Sequence, residues 1–302
     1  MIELWIPITI FAAFMQNLRS ALQKHLKGRL STGGASYVRF FYALPFALIY
    51  FAAVIGIGGF AVPQPNAAFL IYCLLGSVSQ IVFTFLLVHL FSFRNFAVGT
   101  TYSKTEVIQV AILGLVVLGD TVSLFGALAI GLGSFGIMAL AVANTAVTWR
   151  GLAAGLFEKP TLIGLLCGAF LGASVVFFRG AALSLGDEPI VPRASYTLVI
   201  SLVMQTLMMG AYLLAREPGQ MRAVLRNWRP SLGVGAAGFL ASIGWFTAFT
   251  LQNAAYVRAV GQIELVFTFI ASVVFFKERT KPLELLGIAL VILAILLLIL
   301  FR

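Results

Sequence analysis

Residues 95–120, NFAVGTTYSKTEVIQVAILGLVVLGD, and residues 253–278, NAAYVRAVGQIELVFTFIASVVFFKE, decide how this chain folds. Each is an apolar run long enough to cross a bilayer, and each carries a carboxylate within it. Asn95 and Asn253, Glu106 and Glu264, and Asp120 and Glu278 all stand 158 residues apart. Rare polar residues that fall in step inside Leu-rich sequence point to an internal duplication rather than to chance likeness between apolar helices. Upstream, Ala35-Ser36-Tyr37 pairs with Ala194-Ser195-Tyr196 at an offset of 159, and Arg19 with Arg179 at 160, so the register drifts by only two residues.

The rest of the chain fits the same frame. Its 302 residues are 61% apolar and only 10% charged, against about 25% charged in soluble domains, which leaves too few polar groups to cover a globular surface. Cutting the chain where apolar runs meet Gly, Pro, Asn or charge predicts ten helical spans, at 3–22, 34–56, 67–91, 96–117, 121–142, 161–183, 194–214, 231–252, 256–276 and 282–301. The fold class expected is therefore all-α integral membrane, with residues 1–142 and 161–302 as two five-span repeats joined by a connection at 143–160. Five is an odd number, so the second repeat enters the membrane from the opposite side. Inverted repeats of this kind are a usual architecture of secondary transporters, with the site near the midplane between the halves.

The net charge of +10 reads as topology rather than as a nucleic-acid surface. Thirteen Lys and Arg fall in the connections after odd-numbered spans, whereas the even-numbered connections and the termini hold only Arg193 and Arg302. The positive-inside rule then places the odd connections in the cytoplasm and both termini outside, in a multi-pass cell-membrane protein, with the bacterial inner membrane as the expected location. The N-terminal run lacks a basic n-region and an A-x-A site, so it reads as a retained first span. Cys73 and Cys167 sit in apolar runs without a second ligand at metal spacing, so neither a disulfide framework nor a metal site is expected, and no cofactor. Enzyme chemistry finds no H-E-x-x-H pair, no aspartate-rich Mg²⁺ motif and no G-x-S-x-G elbow.

Glu264-Leu265-Val266-Phe267-Thr268, then Phe276-Lys277-Glu278-Arg279-Thr280 and Leu286-Gly287, resemble the drug/metabolite transporter superfamily, specifically its ten-span EamA-type members. There an acidic residue lies inside the ninth span, a G-E-type turn follows, and a glycine opens the tenth. Glu106-Val107, Leu118-Gly119-Asp120-Thr121 and Gly126 look like the first-half copy, and Tyr37-Val38-Arg39-Phe40 is similar to the arginine-phenylalanine pair that opens the second span. The proline that often follows the intramembrane acid is Val107 or Leu265 here, which removes that source of a kink. The family's termini are usually drawn on the cytoplasmic side, opposite to the charge count. The resemblance implies export of amino acids or related amphipathic metabolites by alternating access.

Candidate residues follow from depth. Glu106 lies near the middle of its predicted span, roughly 15 Å from either surface, and Glu264 is eight residues into its own. A carboxylate at that depth either exchanges a proton or meets a cationic group, or it forms a structural pair with Lys104, Arg39 or Arg258. Lys104 has the neutral Gln262 as its repeat partner, an asymmetry that suits a substrate pole. Arg19, Arg39, Arg179 and Arg258, close to span ends, are expected to snorkel. Polar residues at helical spacing, among them Gln16, Gln80, Tyr102, Gln109, Gln205 and Trp245, either converge on an aromatic-edged cavity for a small-molecule substrate or bond between helices. Gly164, Gly168 and Gly172 read as a close-packing stripe and Pro45 as a kink. The partners expected are a small amphipathic solute, the lipid bilayer and protons, for a monomer or weak dimer. A lipid flippase or scramblase, or a passive facilitator, is the alternative.

Overall fold

The computed structural model describes residues 3–26, 29–90, 93, 96–144, 148–154, 157–274, 277 and 280–301. Among them regular structure is helical throughout. In chain order the helices are α1 (Trp5–Leu26), α2 (Thr32–Phe41), α3 (Ala43–Gly56), α4 (Ala67–Leu90), α5 (Phe96–Ser103), α6 (Glu106–Leu118), α7 (Leu124–Asn144) and α8 (Trp149–Ala154). They continue as α9 (Lys159–Ser184), α10 (Ile190–Arg216), α11 (Pro218–Arg226), α12 (Trp228–Leu251), α13 (Ala254–Gly261), α14 (Ile263–Val274) and α15 (Pro282–Phe301). Asn95, Glu278 and Arg302, used above in the repeat and charge readings, lie outside the described residues.

Eight segments are long and apolar enough to cross a membrane among the described residues. The first and ninth expected spans are not among them. In α1 the cause is polarity, since Gln16, Asn17, Arg19 and Gln23 dilute the apolar run. The ninth is divided at Gln262 into two pieces, α13 and α14. The second span is interrupted at Tyr42, where the ring of Pro45 crowds the carbonyl of Phe41. Two connections expected to be irregular contain helices. One is α11, which turns Arg222 and Arg226 outward and buries Val224.

The chain forms two compact units, Met1–Ile81 with Phe177–Gln252, and Val82–Val176 with Asn253–Arg302. Each therefore draws on both sequence halves. In the first unit α1 runs along α12, and α2 and α3 pack on α10 and α12 around Tyr37, Val38, Phe40, Leu198 and Leu213. Gly235 permits this approach, because a Cβ there would stand 2.5 Å from the Tyr42 carbonyl. In the second unit α7 lies along α15, with Gly136 against the Gly287 carbonyl, and α13 packs on α6. The Gly164–Gly168–Gly172 stripe does bring helices close. A Cβ on Gly164 would sit 2.0 Å from the Gly99 carbonyl, and one on Gly168 3.0 Å from that of Ser103.

Contacts at the ends of each unit join like with like. In the first, Ser31 after the first expected span donates to Glu217 after the seventh at 2.5 Å. Asn66 after the second donates to the Ser184 carbonyl, after the sixth, at 2.6 Å. In the second unit Lys281 after the ninth reaches the Ala143 carbonyl, after the fifth, at 2.6 Å. Asn253 after the eighth meets the carbonyl of Thr121, where the connection after the fourth enters the fifth, at 3.2 Å. In these contacts odd connections meet odd ones and even meet even.

Candidate functional site

Two interruptions in the second unit carry the polar chemistry. The first separates α5 from α6 at Lys104 and Thr105, and the second separates α13 from α14 at Gln262. Both α5 and α13 have eight residues, and their first and last residues stand 158 apart. No proline makes these breaks. At the first, Lys104 N–H bonds to Thr101 O and Thr105 N–H to Tyr102 O, each at 3.1 Å, which is the tighter i to i−3 pattern. The Thr105 hydroxyl donates to the same Tyr102 carbonyl at 2.7 Å and accepts from Gln109 Nε2 at 3.0 Å, so side chains compete with the helical ladder. At the second, Gln262 N–H bonds to Ala259 O at 3.2 Å and Leu265 N–H to Gln262 O at 2.9 Å. Two left-handed residues also stand at the same offset, Gly119 at φ 70° and Lys277 at φ 52°.

The breaks place both carboxylates at helix N-termini. Glu106 is the first residue of α6 and Glu264 lies in the first turn of α14, where exposed N–H groups favour negative charge. Glu106 is 4% exposed and forms an ion pair with Arg258 of α13, itself 7% exposed. Arg258 therefore does not snorkel, because α13 packs on α6 and directs the guanidinium inward to a fixed countercharge. Glu264, half-buried, is close enough to Arg258 to attract it as well. Lys104, at the first break, is exposed instead.

A small cavity adjoins the second break. Val107, Ile130, Ser134, Gln262, Val291 and Ala294 line about 10 Å³, room for one water and far too little for a metabolite. Ser134 Oγ and Gln262 Oε1 are buried there without a hydrogen-bond partner among the described residues, and both suit such a water.

The eleven expected site residues divide between the units. Tyr102, Lys104, Glu106, Gln109, Gln262 and Glu264 belong to the second, and Gln16, Arg39, Gln80, Gln205 and Trp245 to the first. Within the first, Gln205 Nε2 donates to Gln80 Oε1 at 2.7 Å, joining α10 to α4. Trp245 Nε1 donates to Gln16 Oε1 at 3.1 Å, joining α12 to α1, and Trp245 stacks on Phe249. These bonds match the interhelical reading of the polar faces. Arg179 does not snorkel either. It donates to the Phe249 and Gln252 carbonyls at 2.6 and 2.7 Å and closes the C-terminus of α12. Arg19 is 8% exposed, its stem lying against Gly238 of α12.

Long apolar helices interrupted at paired polar turns define a multi-pass, all-helical membrane protein. Residues 158–300 match the model of the EamA-like transporter family, and a transporter role fits that match. A solved structure titled only "Crystal structure of protein" shares the fold, with a TM-score of 0.68 at 12% identity over 97% of this chain and 95% of that one. No curated protein sequence matches.

Proposed function

We propose that the chain is a ten-span secondary transporter built from two inverted five-helix repeats, residues 1–142 and 161–302, that exports a small amphipathic metabolite by alternating access. Amino acids and related solutes are the class expected, and the bacterial inner membrane is the expected location, for a monomer or weak dimer. The observation that carries the reading is the Glu106–Arg258 pair seated between two helix breaks, with a second carboxylate close by. Discontinuous helices are where transporters of this architecture hold substrates and coupling ions. The repeated break, the repeated left-handed turn and the like-with-like joining of the connections support the duplication.

In this reading the two acids have different roles. Glu106 meets Arg258 directly and holds α6 to α13. Glu264, half-buried and close to the same guanidinium, is assigned the coupling role in this reading. A site with two carboxylates and one guanidinium carries an excess negative charge inside a membrane, which one proton neutralises.

Proteoliposomes loaded with a pH-sensitive dye and challenged with pools of amino acids, organic acids and lipophilic cations test this. Wild type is expected to show a pool-dependent proton flux, and Glu264→Gln to keep solute exchange while losing the proton flux. Coupled flux surviving in both Glu264→Gln and the double variant with Glu106→Gln would overturn the coupling role. An absence of any solute movement from wild type would overturn the transporter reading.

A further inference from the structure

The connection between α10 and α12, in the first unit, carries charge that the acid pair does not use. Between Leu214 and Leu232 stand four arginines, Arg216, Arg222, Arg226 and Arg229, against one acid, Glu217. That acid is already engaged. It accepts from the Ser31 hydroxyl at 2.5 Å, while Gln220 Oε1 accepts from the Ser31 N–H at 2.9 Å. All four arginines are exposed, and Arg216, Arg222 and Arg226 make no hydrogen bond or ion pair among the described residues.

The helix that presents them is held from its other side. On α11 the residue opposite both Arg222 and Arg226 is Val224, which is fully buried, and its carbonyl accepts from the Tyr42 hydroxyl at 3.2 Å. Ser31 and Tyr42, at the two ends of α2, thereby fix which face of α11 looks outward. Its depth is fixed too. Both α10 and α12 are long and apolar enough to cross a membrane, and α11 begins two residues after the one and ends two before the other. A nine-residue helix, about 14 Å long and tied at both ends, stays at the level where the two spans leave the hydrocarbon.

Exposed apolar side chains mark the same level: Leu214 on α10, Leu225 on α11, and Trp228 and Leu232 on α12. The Arg229 guanidinium lies 5.4 Å from the centroid of the Trp228 ring, a cation on an aromatic face where tryptophan suits the headgroup layer. A soluble anion would answer the arginines alone. Arginines interleaved with exposed leucine and tryptophan fit a surface that is anionic at its headgroups and apolar beneath them.

We propose that α11 is a docking element for anionic phospholipid, with Arg222 and Arg226, flanked by Arg216 and Arg229, on the phosphodiesters and with Leu225 and Trp228 in the interface. Ser31 is the N-cap of α2, so a headgroup held on the outer face of α11 is joined through one helix to the start of α2. This surface depends on membrane embedding alone and goes beyond the transporter reading.

Full-length protein in neutral detergent, titrated with brominated phosphatidylglycerol or brominated phosphatidylcholine of the same chains, tests it. The signal is quenching of Trp228, taken as the difference between wild type and Trp228→Phe. Phosphatidylglycerol is expected to quench at lower concentration than phosphatidylcholine. Its apparent affinity should fall about fivefold for each arginine removed, so about twentyfold in the double variant Arg222→Gln, Arg226→Gln. Added salt should weaken it in wild type. The double variant Arg222→Lys, Arg226→Lys keeps the charge and should retain most of the preference, and neither pair of exposed substitutions should move the midpoint temperature in lipid-free detergent. Equal quenching by the two lipids, an unchanged preference in the Gln variant, or no quenching of Trp228 by either lipid would each overturn the docking surface. Displacement of phosphatidylglycerol by inorganic phosphate at constant ionic strength would assign the arginines to a soluble anion and overturn the lipid reading. A lipid preference in a protein that moves no solute would leave the surface standing and refute the transporter reading.

Discussion

The two helix breaks share a backbone and differ in chemistry. α5 and α13 have the same length and begin and end at one offset, and each partner helix, α6 or α14, leads to a left-handed residue at that offset. The side chains have diverged. Lys104 faces outward where Gln262 is buried, and Arg258 falls opposite Thr100 in the repeat register. Glycine makes the left-handed turn after α6, whereas Lys277 makes it after α14 against its Cβ. Two segments alike in backbone can thus keep a hydrogen-bond pattern while only one supplies the cation that answers the other's acid.

The strongest way to break the comparison is to remove that cation. Arg258→Gln should cost about 3–5 kcal/mol, because it strands a buried carboxylate. Adding Glu106→Gln should return much of it, a recovery read from thermal denaturation of the single and double variants in detergent. Glu264→Gln should cost under about 1 kcal/mol if the acids differ as described, since its side chain is half-exposed. Equal losses in Glu106→Gln and Glu264→Gln would erase the asymmetry. Gly164→Ala should cost about 1–3 kcal/mol or more by driving a methyl into the Gly99 carbonyl, and the folded yield on size exclusion reports it. Smaller effects of opposite sign should separate the turns. Gly119→Ala should destabilise by about 1 kcal/mol and Lys277→Gly stabilise by a similar amount, measured as shifts in midpoint temperature.

Much of this was legible in the residues. Composition and run length gave a membrane protein, and the 158-residue offset picked out the segments that turned out to be interrupted alike. The depth of Glu106 in its span agreed with its burial. Arg258 was misplaced because two residues from an expected span end looks like the interface. The helix in fact begins at Ala254 and its packing on α6, a tertiary fact, turns the side chain inward. The breaks carried a local signal that hydropathy averaging hides. Ser103-Lys104-Thr105 and Gly261-Gln262 are polar or small residues at matching positions inside apolar runs, where side chains compete for backbone carbonyls. For Lys104, which is exposed, depth along a helix does not say which way a side chain points.

The ion pair also has a history in time. Arg258 follows Glu106 by 152 residues, so at synthesis rates of about 5–20 residues per second the acid leaves the ribosome about 8–30 s before its partner exists. Throughout that interval the carboxyl has no Arg258 to meet, so the contact that holds α6 to α13 is a late event in the making of the chain.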